Sequence, residues 1–172
     1  MGESIPYSET KSAIVWRGRP FVKMHGLRND FVIVDGRRHP FRPSVEAIVR
    51  ICDRHEGVGG DELVVLEPPQ SADACAFMRI FNPDGREVEA CGNATRCIAR
   101  MLMDETGRPA LALRTERGLL ACEDAGGGMT RVNMGAPLLD WRDIPLAEAT
   151  DTLHLPIAGA PVATGMGNPH CS

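Results

Sequence analysis

The run from Glu89 to Gly107, E-A-C-G-N-A-T-R-C-I-A-R-M-L-M-D-E-T-G, constrains this chain more than any other stretch. Ala94, Cys97, Ile98, Met101 and Leu102 recur at the three-and-four spacing of a helix with one apolar face. Asn93 is a suitable N-cap, and Gly107 followed by Pro109 a suitable stop. Arg96 and Arg100 fall on another part of the surface. Cys91 and Gly92 then stand at the helix mouth, where backbone N–H groups have no intrahelical partner. Such a place binds anions, a carboxylate for example, and draws a thiol toward its thiolate. Gly92 lets the backbone come close to a ligand. A free cysteine is also a common small apolar filler, so position alone leaves both readings of Cys91 open.

At 172 residues the chain can bury a real core, as one domain or one and a half. Charged residues make up 24% and the net charge is -4, which gives no ground for a nucleic-acid or anionic-membrane partner. Aromatics are 5%, too few for a base-stacking platform. No apolar run approaches the ~20 residues of a membrane span. The stretch 1–20 carries only the short apolar patch Ala13-Ile14-Val15-Trp16, with basic residues after rather than before it, unlike a signal peptide. It reads as an N-terminal extension expected to be disordered. The six cysteines contain no C-x-x-C pair, which argues against a zinc site. With irregular spacing and no export signal, the thiols are expected to be reduced in a cytoplasm. Cys52, Cys75 and Cys97 fall on apolar faces and read as packing residues.

Taken in order, 21–25 predicts a strand, 26–29 a turn and 30–35 the returning strand. Ser44 caps a predicted helix with Val45, Ile48, Val49 and Cys52 on one face. A glycine-rich loop, 56–61, precedes a buried strand at 62–66. A strand over 74–81 runs into Asn82-Pro83-Asp84-Gly85, a strong turn signal, and 86–90 leads back to Cys91. Segments 110–115 and 119–123 should pair around Arg117-Gly118. The stretch 124–128 reads as a flexible tip, 130–134 as a strand and 135–137 as a boundary, with a further strand near 152–155. The Gly-Asn-Pro-His turn close to Ser172 should lead into a strand, and none is evident. Many short strands, tight turns and two helices predict an α+β fold: a curled, mostly antiparallel sheet or barrel around the 89–107 helix.

Asn29, Asp61, Asn82 and Asn93 each sit beside glycine or proline at the end of an apolar segment. Singly they are ordinary turn residues. Together, around a helix-mouth cysteine, they describe a pocket for a small zwitterion. The thiol could attack a carbonyl, for which His25, His55 and His170 are candidate bases without a local signature. It could instead move a proton at an α-carbon. Pyridoxal phosphate, the usual aid, needs a Schiff-base lysine, and Lys11 and Lys23 are poor candidates. The loop at 57–60 lacks the G-K-[ST] of a P-loop. No cofactor is expected.

These motifs resemble those of the diaminopimelate epimerase family. The resemblance rests on F-V-K-M-H-G-L-R-N-D-F from Phe21, D-R-H-E-G-V-G-G-D from Asp53 and F-N-P-D-G from Phe81. It continues in A-C-G-N-A-T-R-C from Ala90, V-N-M-G from Val132 and M-G-N-P-H from Met166, and so covers 21–172. It implies two pseudo-symmetric halves, each a curled sheet around a central helix, with a site in the cleft between them. One cysteine from each half would exchange the α-proton on opposite faces, without cofactor, interconverting LL- and meso-diaminopimelate. The resemblance makes Cys91 one of the two acid/base cysteines. It implies that Gly92 and Asn93 hold the substrate's carboxylate and amino groups, that Asn29, Asn82 and Asn168 bind substrate, and that His170 lies near the reacting centre.

Three departures stand out against that pattern. Arg28 replaces a usual glycine, Glu62 a common glutamine that contacts substrate, and Ala94-Thr95 the commoner Gly-Ala. Cys91-Gly92 is the only Cys-Gly pair, and the second cysteine motif is absent. The expected organisation is therefore 21–135 as the N-terminal epimerase half and 136–172 as the start of a truncated second half, inactive alone. A small-molecule amino acid is the expected partner, with neither nucleic acid nor membrane, and the reading allows a homodimer. The competing readings are a proline racemase-like enzyme of the same fold, a non-catalytic amino-acid-binding half-domain and, more distantly, a cysteine hydrolase.

Overall fold

A computed structural model describes residues 18–172. Most of the expected extension, 1–17, lies outside the described residues. The elements in chain order are β1 (Val22–Gly26), β2 (Asn29–Asp35), α1 (Val45–Cys52), β3 (Glu62–Glu67), β4 (Ala76–Phe81), β5 (Glu87–Val88) and α2 (Gly92–Thr106). They are followed by β6 (Ala110–Thr115), β7 (Gly118–Gly126), β8 (Met129–Asn133), β9 (Ala163–Gly165) and β10 (Pro169–Cys171). One sheet runs in the order β1-β2-β3-β4-β6-β7-β8, with β5 paired to β4, and β9 and β10 form a separate hairpin. The sheet curls around α2, which packs against strands at both edges, β1 and β8, and against β6 and β7 between.

Side-chain alternation explains why the sheet has helices on both faces at its centre. In β2, Phe31 and Ile33 point toward α2 with Val64 and Leu66 of β3. The intervening Val32 and Val34, with Leu63 and Val65, point the other way onto Ile48 and Ile51 of α1. Leu63–Leu66 is consequently buried on both faces, the continuous apolar run that such a strand needs. Farther along, Leu120 and Cys122 of β7 are buried while Leu119 and Ala121 are not, the signature of a strand covered on one face only. Ile98, Leu102 and Met103 of α2 are almost fully enclosed, each contributing about 1.5–3 kcal/mol of apolar burial.

The fold departs from several sequence expectations. The N-cap of α2 is Cys91, not Asn93; the Asn93 side chain is engaged across the cleft with Asn29. The α1 stripe is Ala47, Ile48, Ile51 and Cys52, and Val45 and Val49 are half exposed. Val45 instead covers the turn at Gly85, where an added Cβ would come 2.6 Å from its Cγ1. The main sheet is mostly antiparallel, as expected, with two parallel pairs that the sequence did not signal, β2 with β3 and β4 with β6. No strand forms at 152–155; turns there bury Thr152 and Leu155, and Leu155 joins Ile144 and Ala163 in a small separate core. A strand does follow the Gly-Asn-Pro-His turn, since Pro169–Cys171 pairs with Ala163–Gly165.

Candidate functional site

The site is built where the β1–β2 hairpin, the loop before β3 and the mouth of α2 meet. The hairpin turns in two residues, Leu27 and Arg28, both at positive φ (54° and 72°), which closes Gly26 opposite Asn29. A Cβ on Gly26 would stand 3.3 Å from the Asn93 carbonyl oxygen, so the hairpin end lies directly on the first turn of α2. At that mouth the Cys91 carbonyl accepts from the Thr95 N–H (2.9 Å) and from the Thr95 hydroxyl (2.8 Å). Thr95 is fully buried, so the cap is locked from within the core.

Asn29 is the hub. Its Nδ2 donates to Asp61 Oδ2 at 3.2 Å, and its Oδ1 accepts from Asn93 Nδ2 at 3.2 Å. The Cys91 thiol faces the same Oδ1, with 3.8 Å between Sγ and oxygen. Asn93 Oδ1 accepts in turn from Arg96. Asp61 is fixed by the Asp30 N–H (3.0 Å) and by Arg54 (2.9 Å). Arg54 also pairs with Asp30 at 2.6 Å, and Lys23 with Asp30 at 2.8 Å. The Arg54 guanidinium, with Lys23 beside it, holds the Asp30 carboxyl far below the usual range. Asp61 was among the pocket residues expected from sequence; Asp30, Arg54 and Lys23, which complete this charged frame, are the part of the site that motif reading missed. Its signal was the acidic residue next to Asn29 and the Asp61 that ends the glycine loop.

Glu62, the first residue of β3, bears electrostatically on the Cys91 thiol. Its Oε2 is closed off from solvent and has no hydrogen-bond partner. Burial pushes the Glu62 carboxyl above its ordinary value. The Cys91 thiol, 9% exposed, is pushed up to about 12, first by burial and then by the charge of Glu62. The backbone N–H groups of Ala94 and Asn93 pull the other way. The expectation that the helix mouth lowers this thiol is therefore corrected: two N–H dipoles do not outweigh burial beside a carboxylate. With its ionisation pushed up in this way, Cys91 is a neutral thiol, which chemically is a proton donor.

Gly92 is the first residue of α2, and a Cβ there would touch only Met134, at an ordinary 3.5 Å. The chain's own packing thus does not demand glycine at that position. Asn82 starts the turn after β4, whose backbone closes from Gly85 N–H to the Asn82 carbonyl at 2.9 Å. The β3–β4 register begins with Leu63 opposite Phe81, so Asn82 follows directly on the last paired residue of β4. Asn168 and His170 lie on the β9–β10 hairpin and interact with each other at 3.0 Å. The structure brings this hairpin to the site's edge: a Cβ on Gly167 would meet the Ala90 Cβ at 2.6 Å. Asn168 lines a cleft of about 340 Å³ with Glu89 and Arg142. The structure thus gathers Asn29, Cys91, Gly92 and Asn93, keeps Asn82 in the turn after β4, and leaves Asn168 and His170 exposed. A larger recess of about 700 Å³, lined by Leu111, Cys122, Arg131 and Val132, involves none of these residues. Among the described residues, no group of three His, Cys, Asp or Glu side chains is arranged to hold a metal, and no helix is long and apolar enough to cross a membrane.

Comparison with known proteins agrees with this geometry. Residues 21–139 match the diaminopimelate epimerase family. The chain is 52% identical over 158 residues to a diaminopimelate epimerase of Acidiphilium cryptum, covering 90% of this chain and 56% of that one. It is 51% identical over 156 residues to that of Rhodospirillum centenum, covering 88% and 54%. The chain thus spans about half the length of the curated relatives it matches. Among solved structures, a hydroxyproline epimerase from Agrobacterium vitis superposes with a TM-score of 0.60 at 14% identity, covering 88% of this chain and 50% of that one. A predicted epimerase from Pseudomonas aeruginosa gives 0.59 at 16% identity, covering 90% and 58%. These two establish the fold, a curled half-barrel of the racemase and epimerase type. The sequence matches establish the kinship: the chain belongs to the diaminopimelate epimerase family.

Proposed function

We propose that this chain supplies one half of a cofactor-independent amino-acid epimerase, in which Cys91 exchanges the α-proton of LL- and meso-diaminopimelate. The observation that carries this reading is the convergence on one sulfur of a helix mouth and an amide pair. The Sγ of Cys91 faces Asn29 Oδ1, and the same oxygen is bridged to Asn93. A neutral thiol in this setting delivers its proton to the α-carbanion and is left as thiolate. In the reverse direction the thiolate takes the α-proton, and the Ala94 and Asn93 N–H groups stabilise its charge.

In this reading Gly92 and Asn93 receive the substrate's carboxylate and amino groups at the mouth of α2. Asn29 and Asn82 line the substrate, Asn168 closes over it from the β9–β10 hairpin, and His170 stands near the reacting centre. The reading extends to a cytoplasmic enzyme of lysine and cell-wall biosynthesis, for which a homodimer is an allowed assembly. High identity to diaminopimelate epimerases over most of the chain favours this substrate over proline-type ones.

Exchange on both faces of the α-carbon needs two acids, and Cys91 serves one. The 172-residue chain alone is accordingly expected not to epimerise. The test is deuterium uptake at the α-carbon of LL-diaminopimelate in heavy water, read by mass spectrometry with separation of the isomers. It would be run on this chain and on its fusion to the C-terminal remainder of the Acidiphilium cryptum relative. The fusion should exchange and isomerise, and Cys91→Ala should lower its rate by at least about a thousandfold. Near-unchanged turnover in Cys91→Ala would remove Cys91 from the role.

A further inference from the structure

Two side chains that the proton-transfer chemistry does not itself use close off the ends of the site's amide pair. Asn93 Oδ1 accepts from the Arg96 guanidinium, nearly one turn farther along α2. Asn93 Nδ2 donates to Asn29 Oδ1 at 3.2 Å, and Asn29 Nδ2 donates to Asp61 Oδ2 at 3.2 Å. A guanidinium has donors only, and an ionised carboxylate has acceptors only. Each terminus therefore decides which way the amide next to it turns, and the two decisions agree. Every hydrogen bond from Arg96 to Asp61 runs in one direction. Turning either amide over would set oxygen against oxygen at one of its ends and N–H against N–H at the other.

We propose that Arg96 and Asp61 are positioning residues that pole this amide pair, so that Asn29 presents an oxygen and not an N–H to Cys91. The Cys91 Sγ lies 3.8 Å from that oxygen and meets it as a thiol donor. An amide oxygen favours the protonated sulfur and opposes the thiolate, whereas an amide N–H in the same place would do the reverse. The direction is set by two residues bonded to the amides and not to the sulfur. It keeps Cys91 poised to give a proton rather than to take one.

Asp61 serves as a fixed terminus because it is itself held. Its Oδ2 also accepts from the Asp30 N–H at 3.0 Å, its Oδ1 from Arg54 at 2.9 Å, and its own N–H donates to the Asp30 carbonyl at 2.8 Å. The other groups around the sulfur do not turn with the amides. Glu62 from β3 and the Ala94 and Asn93 N–H dipoles from α2 bear on Cys91. Lys23 from β1 and Asp30 from β2 pair with each other, and Arg54 after α1 completes their cluster. These groups set the level at which Cys91 ionises, and the amide direction adds to it.

This inference rests on the reading of Cys91 as the proton-transfer group, but its test requires no turnover. The 172-residue chain would be labelled with ¹³C at cysteine Cβ and followed by NMR against pH, with the Cys91 signal assigned by its loss in Cys91→Ala. Asp61→Asn and Arg96→Gln each replace a one-way terminus with an amide that can donate or accept. Singly, each leaves the other terminus in command, and charge alone moves the Cys91 midpoint, down for Asp61→Asn and up for Arg96→Gln. Together the two charge effects offset while both amides are released. The thiolate can then recruit Asn29 Nδ2, and Cys91 should ionise at least about tenfold more readily than in the wild type. A double variant equal to the sum of its singles would overturn the poling. If the double variant does not fold, the wild-type side-chain amides decide. The Asn29 Nδ2 protons should show Overhauser contacts to the Asp30 N–H, which shares Asp61 Oδ2 with them; contacts to the Cys91 Cβ protons instead would overturn the proposal. Non-additive ionisation without deuterium exchange in the fusion would overturn the epimerase reading and leave the poling standing.

Discussion

Single residues set the quality of this site, and three of them work against local preference. Leu27 and Arg28 both hold positive φ, the geometry of a two-residue hairpin turn that asparagine and glycine adopt without strain. Left-handed backbone costs an ordinary residue about 1–2 kcal/mol, and the Arg28 side chain is exposed. Arg28→Gly should therefore stabilise the chain by about 1 kcal/mol, less the added freedom of the unfolded glycine. A urea titration comparing the midpoints checks it, and an unchanged or lower midpoint would show that Arg28 makes a contact worth the strain. Glu62 is the third such residue. As a sequence feature it was visible only as a charge where the family commonly has glutamine. The thiol it bears on comes from a segment 29 positions later, at Cys91, and no local pattern encodes that distance in space.

At the scale of elements, what was legible was what is local. The apolar stripe of α2 and its glycine stop, seen as a left-handed Gly107 (φ 69°) bonded back to Met103, follow from spacing and from one residue's freedom. So does the Ser44 cap of α1, whose side chain accepts from the Ala47 N–H. The β2–β3 and β4–β6 parallel pairings were not legible, because strand-partner choice depends on which faces the helices cover. The strand expected at 152–155 failed for a related reason: apolar residues there serve a small turn-built core instead of a ladder. That small unit is joined to the site through close contact. Gly167, at φ 96°, stands where any Cβ would press on Ala90 at 2.6 Å and on the Arg117 side chain at 3.0 Å. Gly167→Ala should cost about 1–3 kcal/mol from overpacking and backbone strain together. The loss should be confined to the β9–β10 hairpin. Hydrogen exchange checks this: the Gly165 amide, bonded to the Leu138 carbonyl at 2.9 Å, should exchange roughly tenfold faster or more, while β3 amides keep their protection. Equal loss at β3 would mean that the hairpin is part of the main cooperative unit.

Across the whole molecule, the opposed titrations predict a stability curve with three limbs. The Asp30 carboxyl is held low by Arg54 and Lys23, and Asp35 by Arg37. Depressed folded-state values give stability that is complete above the unfolded value of about 3.9 and is lost as pH falls below it. Glu62 has the opposite sign. Its folded value is raised, so the folded chain binds that proton before the unfolded chain does, and stability rises as pH falls through the raised folded value toward about 4.3. The thiols give the alkaline limb. Burial pushes Cys52 to about 11 and Cys122 to about 12, with Cys91 also near 12. The unfolded chain ionises its thiols near about 8.5, and stability falls above that pH because the folded chain cannot follow. Urea midpoints against pH should therefore peak on the mildly acidic side, above about 4 and below neutrality. Asp30→Asn should flatten the acid limb, and Glu62→Gln should flatten the slope between the peak and neutrality while leaving the acid limb in place. A wild-type maximum near neutrality with no slope on its acid side, unchanged in Glu62→Gln, would mean that the buried carboxyl finds a compensating partner when the protein is in solution. The site's cost and its protonation share one origin, since burial both destabilises Glu62 as a carboxylate and keeps the Cys91 thiol protonated.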